Sequence, residues 1–331
     1  MTLPRLRPFA VRAIGGLLLL AGCGQTLDAG SDTHGLLPVD QRNQVVISND
    51  GCGNWQGLYA VLFSNSGGPP LAGITVNASG YAADLGANFS AWQNLVTAAR
   101  SSGLQGIPDP IMSVSSPLVR PADGNIDTTT PNRSAGAQAI VDLSARFSLP
   151  YRPMVVAVGG RLTDVADAYL IDPTVTDRVV VIAALGSLAT KGGVMGAPNG
   201  ELDPWADAVV VAKFRYVQVS QFYDPTTDVP SSLLASLPMN PLGELVAAQQ
   251  PAVTNMMNQA DQVSVIPLGL PSFVTAVERV SPDPTVAFSP TIGPSLVPDA
   301  NGHIWLVSGV DSALANARLA QMLQDPTIFG R

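Results

Sequence analysis

"QVVISNDGCGNWQG", residues 44–57, is an apolar run that stops at an acid and enters a glycine-rich turn. No polar residue alternates with Val45, Val46 and Ile47. The run therefore suits a strand covered on both faces, as in a parallel sheet. Runs of the same kind recur at 71–78 ("LAGITVNA"), 153–160 ("PMVVAVGG"), 178–186 ("RVVVIAALG"), 215–222 ("RYVQVSQF") and 303–310 ("HIWLVSGV"). The segments 83–100, 133–146, 163–171, 204–213, 240–258 and 311–324 between and after them read as helices. Thr163 and Asp203 stand as N-caps, Asp311 caps the last helix, and Pro204 suits a first helical position. The alternation predicts one doubly wound α/β domain over residues 44–331, with a mostly parallel sheet flanked by helices. Residues 281–302, rich in Pro, Gly, Ser and Asp, read as a long loop or hairpin excursion. Ligands of such sheets gather beyond the carboxyl ends of the strands. That makes Asp50 a candidate site residue, although an Asx turn also accounts for an Asp-Gly pair after a strand.

The whole composition agrees with a large folded domain. Of 331 residues, 46% are hydrophobic and only 13% charged, which disfavours disorder. The net charge of −8 comes without any cluster of Lys and Arg, so a nucleic-acid partner is not expected. A neutral, small or cationic ligand fits better.

The N-terminus reads as an export signal. Arg5, Arg7 and Arg12 precede a short apolar stretch that ends in "LAGC", residues 20–23. The stretch is too short to span a bilayer as a mature helix but suits the core of a signal peptide. The motif resembles the bacterial lipobox, which implies cleavage after residue 22 and a lipidated Cys23. Residues 23–43 then read as the acylated cysteine and a flexible tether. The expected location is the bacterial cell envelope, lipid-anchored, at the outer membrane or its periplasmic face. Cys52 is the one other cysteine, and with Cys23 acylated no intramolecular disulfide forms. Neither His34 nor His303 lies near Cys52 in sequence, so a thiol nucleophile is disfavoured.

Familiar catalytic motifs are missing. The glycines at 51, 53 and 57 lack the spacing of a dinucleotide fingerprint, and no Walker lysine follows them. There is no G-x-S-x-G elbow and no His/Cys set with zinc spacing. Acids and amides remain: Asp50, Asn54, Gln56, Asn77, Asn199, Asp203 and Asp261. Oxygen donors of this kind suit a hard cation such as calcium, or the hydroxyls of a sugar.

The order of these landmarks resembles the nucleoside hydrolases. "SNDGCGNWQG" stands where that family has a first strand ending in D-x-D-x-G-x-D-D or a longer variant. "LAGITVNA" is similar to its second strand, and "GIPDP" to the segment before its third. "VAVGGRLTDVADAYL" resembles the V-G-P-L-T-N-x-A turn and helix, and "NGELDPWADAVV" the E-F-N-x-x-x-D-P-x-A-A segment. "ADQVSVIPLGLPSFVTAVERV" resembles the H-D-P-x-A-V-A segment and the strand after it, and "WLVSGVDSALANARLAQML" the terminal strand and helix. The likeness spans about residues 44–324.

The resemblance implies a calcium-dependent hydrolase that cleaves ribonucleosides into base and ribose. It makes Asp50 the residue that binds calcium and takes the proton from the attacking water. It makes Asp261 a second calcium carboxylate and Val158, or Gly159 with a shifted turn, a main-chain oxygen ligand. Asn54 and Gln56 stand where further acids of the metal motif would be. Asn199 matches a residue that holds the ribose hydroxymethyl group, and Asn77 lies where a ribose-binding asparagine is expected.

The departures are Ser48 for the first acid, amides at 54 and 56, Ala197 for a glutamate and Ala260 for the leaving-group histidine. Each lost carboxylate weakens calcium and the acidity of its water. Two readings follow: a hydrolase with a weakened calcium site, or a catalytically silent nucleoside- or sugar-binding lipoprotein of the same fold. Oligomeric state is not legible in the sequence.

Overall fold

The computed structural model describes residues 36–51, 55–80, 82–113, 116–184, 198–219, 237–248, 264–269, 271–283 and 296–325. Nine strands form one sheet. They are β1 (Val45–Asn49), β2 (Leu71–Val76), β3 (Pro110–Met112), β4 (Met154–Val158), β5 (Val179–Ala184), β6 (Arg215–Val219), β7 (Val274–Pro282), β8 (Leu296–Pro298) and β9 (Ile304–Val310). Their order is β3-β2-β1-β4-β5-β6-β9-β7-β8. Every pairing from β3 through to β9 is parallel. β7 is antiparallel to β9 and to β8, so the expected excursion at 281–302 starts as β7 ends and returns as β8.

The described helices are α1 (Trp55–Asn65), α2 (Leu85–Ser101), α3 (Ala135–Phe147), α4 (Thr163–Ile171), α5 (Val175–Arg178), α6 (Pro198–Glu201), α7 (Pro204–Lys213), α8 (Pro241–Ala248), α9 (Ile266–Gly269) and α10 (Ser312–Gln324). They cover both faces of the sheet. Val45, Ile47, Val155, Ala157 and Ile182 pack with Leu62 of α1, Trp92 of α2, Leu242 of α8 and Leu319 of α10. Val46, Met154, Val156 and Val181 face the other way, onto Ile140 of α3, Val165 of α4 and Val209 of α7. Successive strand residues point to opposite faces, so covering both faces requires apolar runs without alternation.

Local chemistry sets the helix starts. Asp84, Ser134, Asp203 and Asp311 each accept a backbone N–H of the first turn of α2, α3, α7 and α10. Thr163 is not a cap: it is the first residue of α4, and its hydroxyl donates instead to Asp203 at 2.6 Å. Two further expectations are corrected. Residues 55–57, expected in the turn after β1, instead begin α1. Its residues 56–63 are all buried, and a helix apolar all round shows no amphipathic period. The tether also ends before residue 43. Leu37 and Val39 sit in the core at 1% and 3% exposure, and the Asn43 amide donates to the Pro153 carbonyl at 2.7 Å.

Candidate functional site

The strand order reverses between β1 and β4: the chain moves outward from β1 through β2 and β3, then restarts at β4 on the other side. In open α/β sheets such a switch point, at the carboxyl ends of the two strands, is where ligands bind. Asp50 directly follows β1, and the Gly159-Gly160-Arg161 turn directly follows β4. The Gly159 N–H donates to the Ser48 carbonyl at 2.9 Å, which locks the two turns side by side. A Cβ at Gly160 would stand 3.0 Å from the Asp50 nitrogen and 3.2 Å from its Cγ. A side chain there would push the Asp50 turn back by a few tenths of an ångström, so glycine suits this close approach.

Asp50 is buried, with 7% of its surface exposed. Burial pushes its carboxyl pKa up; a hydrogen bond from Ser79 and the charge of Arg161 act against that rise without cancelling it. Beside it, Asn49 Oδ1 accepts the Gly51 N–H at 2.8 Å and shapes the turn.

Arg161 is itself buried at 7% exposure. Burial lowers its pKa, while Asp203, Asp164 and Asp50, in that order, favour its charge. These acids come from three separate places: the cap of α7, the first turn of α4 and the end of β1. Asp203 accepts from the Leu118 N–H at 2.9 Å, from Thr163 Oγ1 at 2.6 Å and from the Ala206 N–H at 3.1 Å. Asp164 accepts from Ser113 Oγ at 2.7 Å, Ser134 Oγ at 2.9 Å and Asn77 Nδ2 at 3.4 Å. A Cβ at Gly136 would lie 2.6 Å from Ser113 Oγ and 2.7 Å from Asp164 Oδ2, so a bare backbone is needed there. Burial raises the pKa of Asp164 and of Asp203, with the same hydrogen bonds acting to lower it.

The other expected site residues are distributed as follows. Asn77 lies just past β2, fully buried; its N–H donates to the Asn49 carbonyl at 2.9 Å, and its Oδ1 has no hydrogen-bond partner among the described residues. Asn199 in α6 is buried and donates to the Ala184 carbonyl at 2.9 Å, at the carboxyl end of β5. Val158 is the last residue of β4, beside Ser48. Asp50, Asn77, Val158 and Asn199 therefore all lie at the same edge of the sheet. Asp261, Asn54, Cys23, Ala197 and Ala260 lie outside the described residues. His303 is at the opposite end, before β9, with Nε2 2.9 Å from the Val211 carbonyl.

Gln56 differs from expectation. It stands in the first turn of α1, where its Oε1 accepts from Asn49 Nδ2 and its Nε2 donates to Ser264 Oγ at 2.6 Å and to the Ala157 carbonyl at 3.3 Å. Its oxygen thus supports the Asn49 turn rather than a cation. Ser48, at the position of the first acid, is fully buried and its Oγ has no hydrogen-bond partner among the described residues. Calcium takes six to eight oxygens, most of them charged or unengaged. Among the described residues no three His, Cys, Asp or Glu side chains gather into a metal-binding group. Among the described residues the Asp50 carboxylate, a committed amide and a guanidinium, with Asp164 and Asp203 already taken up by hydrogen-bond donors, do not fit that ion.

No family model matches the sequence, and no curated protein matches it. Solved structures do. The inosine-uridine preferring nucleoside hydrolase of Bacillus anthracis aligns at TM-score 0.57 with 14% identity, over 84% of this chain and 99% of that one. The architecture is the nucleoside hydrolase fold. An inosine-guanosine nucleoside hydrolase shares it at TM-score 0.61 and 15% identity, over 85% of this chain and 99% of that one. A purine-preferring ribonucleoside hydrolase from Gardnerella vaginalis shares it at TM-score 0.53 and 14% identity, with 85% and 99% covered. Within this nucleoside hydrolase fold, Arg161, Asp164, Ser79 and Ser113 were not singled out by sequence. The signal for Arg161 was an arginine placed between a buried strand and a helix, in "VAVGGRLTD" (156–164).

Proposed function

We propose that this chain hydrolyses the N-glycosidic bond of ribonucleosides, with Asp50 as the general base. The observation that carries the reading is the buried carboxylate of Asp50 at the switch point, with its pKa raised by desolvation. A carboxyl group shifted upward is a stronger base than a solvated one, and a positioned base supplies about 10²–10⁴-fold of rate. In the reaction, Asp50 accepts a proton from water as the water oxygen bonds to the anomeric carbon. The carbon–nitrogen bond breaks, and its electron pair leaves with the nucleobase, which takes up a proton from solvent. Asn199 and Asn77 are assigned to the ribose hydroxyls. The names of the neighbours in fold support a nucleoside as ligand. Calcium, implied by the same likeness, would draw on Asp50, Asp261, the Val158 carbonyl and Asn54. The residues around Asp50 argue against it, so no step above runs through a metal.

A second reading, a silent nucleoside- or sugar-binding protein, draws support from Ser48 and from the committed Gln56 oxygen. Base release across a panel of nucleosides, followed as a function of pH, separates the two. The base must be ionised to act, so hydrolysis is expected to rise with pH through the elevated pKa of Asp50 and then level off. Heat of nucleoside binding without base release at any pH selects the silent reading, and no heat at all removes both.

Export and lipid anchoring at Cys23 remain part of the proposal. Cys23→Ala is expected to shift the chain from the membrane fraction to soluble or unprocessed material. Recovery of an intact, unmodified N-terminal peptide from the mature protein would refute the anchor.

A further inference from the structure

The turn after β4 carries a cation that belongs to the chain, beside the Asp50 turn. Arg161 is buried in the turn after β4, next to the glycine that closes on Asp50. Two residues later Thr163 holds Asp203, and one residue after that Asp164 begins its own hydrogen-bond set with Ser113, Ser134 and Asn77. Three buried acids thus converge on the short stretch that carries the guanidinium. Their negative charges favour the buried guanidinium. Arginine suits the place because it is rarely deprotonated and its planar fork can serve several carboxylates at once. The oxygens that a metal would need are meanwhile engaged elsewhere or replaced, as at Gln56 and Ser48.

We propose that Arg161 is the resident cation of this site, taking among Asp50, Asp164 and Asp203 the electrostatic place of a divalent ion, so that the site assembles without metal. As a positioning residue it holds Asp50 beside the Gly160 turn. The inference shares its site with the hydrolase reading but not its reaction. It is tested without substrate, so either can fail while the other stands.

The test is thermal unfolding and calorimetry of the full chain with millimolar calcium chloride or with EDTA. For the wild type, the melting temperature is expected to be the same in both, with no heat of calcium binding. Arg161→Met leaves three buried acids without their cation. Its melting temperature in EDTA is expected to fall by about 5 °C or more. Arg161→Lys keeps the charge and is expected to melt between wild type and Arg161→Met, without a calcium response. A calcium heat with an EDTA-reversible shift in the wild type overturns the proposal. So does an Arg161→Met variant that melts like wild type in EDTA. Should Arg161→Met fail to fold, the wild-type titration and Arg161→Lys still decide.

Discussion

Asp50→Asn is expected to lower base release by about 10²–10⁴-fold while leaving the fold intact and nucleoside affinity little changed. The size of the effect follows from the loss of the proton acceptor that Asp50 places at the switch point. The fold survives because asparagine has the same shape, which matters where Gly160 leaves no spare space. The remaining oxygen can still accept from Ser79, which hydrogen-bonds the carboxylate in the native site. Stability has a definite sign as well. A carboxyl whose pKa is raised on folding contributes stability below its unfolded pKa and loses it as pH rises through the folded value. Above its folded pKa the ionised Asp50 is therefore a cost, and there a neutral asparagine is expected to unfold at the same or a higher urea concentration. Steady-state base release and urea denaturation check the two halves. Undiminished turnover in Asp50→Asn would remove Asp50 from the reaction.

The second large effect concerns Asp203→Ala. This side chain caps α7, and it also accepts from the Leu118 N–H and the Thr163 hydroxyl. Loss of an N-cap costs about 1 kcal/mol, and each buried donor left without a partner about 1–3 kcal/mol. A net loss of about 3–5 kcal/mol is expected after the relief of burying a carboxylate is allowed for. Against a total stability of about 5–15 kcal/mol this is a severe change. The comparison is Asp311→Ala, where the side chain accepts only from the Leu314 N–H at an exposed helix start. That variant is expected to lose about 1 kcal/mol. Equal losses in urea unfolding would show that the connections from Asp203 to Leu118 and Thr163 carry no weight. Asp203→Ala is also expected to loosen Arg161, which loses the first of the acids that favour its charge.

The contrast between these two caps separates what is local from what is not. Asp203 and Asp311 are both recognisable as caps from the residues that follow them, because a capping side chain reaches only to its own first turn. The apolar runs at 44–49, 153–160 and 178–186 were legible for a similar reason: a strand buried on both faces has no position open to polar residues. From these the doubly wound class and the placement of Asp50 at a strand end followed directly. The order of the described landmarks also carried the likeness to nucleoside hydrolases that the fold bears out. α1 was hidden because a helix buried on every side has no polar stripe to announce its period. Leu37 and Val39 were hidden because two apolar side chains in a polar stretch carry no pattern, yet the fold supplies a core for them.

Tertiary structure alone decided what surrounds Asp50. The sheet order puts the end of β1 against the end of β4, although about a hundred residues of chain separate them, and the Gly160 turn closes on the acid only there. Arg161 meets acids from β1, α4 and the cap of α7 in the same way. Gln56 was read as a ligand from its place after Asp50, but the start of α1 turns it beneath the strand ends toward Asn49 and Ser264. Sequence patterns report which residues avoid water and which end a helix, since those preferences act over a few residues. Which charges meet inside the protein depends on strand order and burial, and these are set by contacts between segments far apart in the chain.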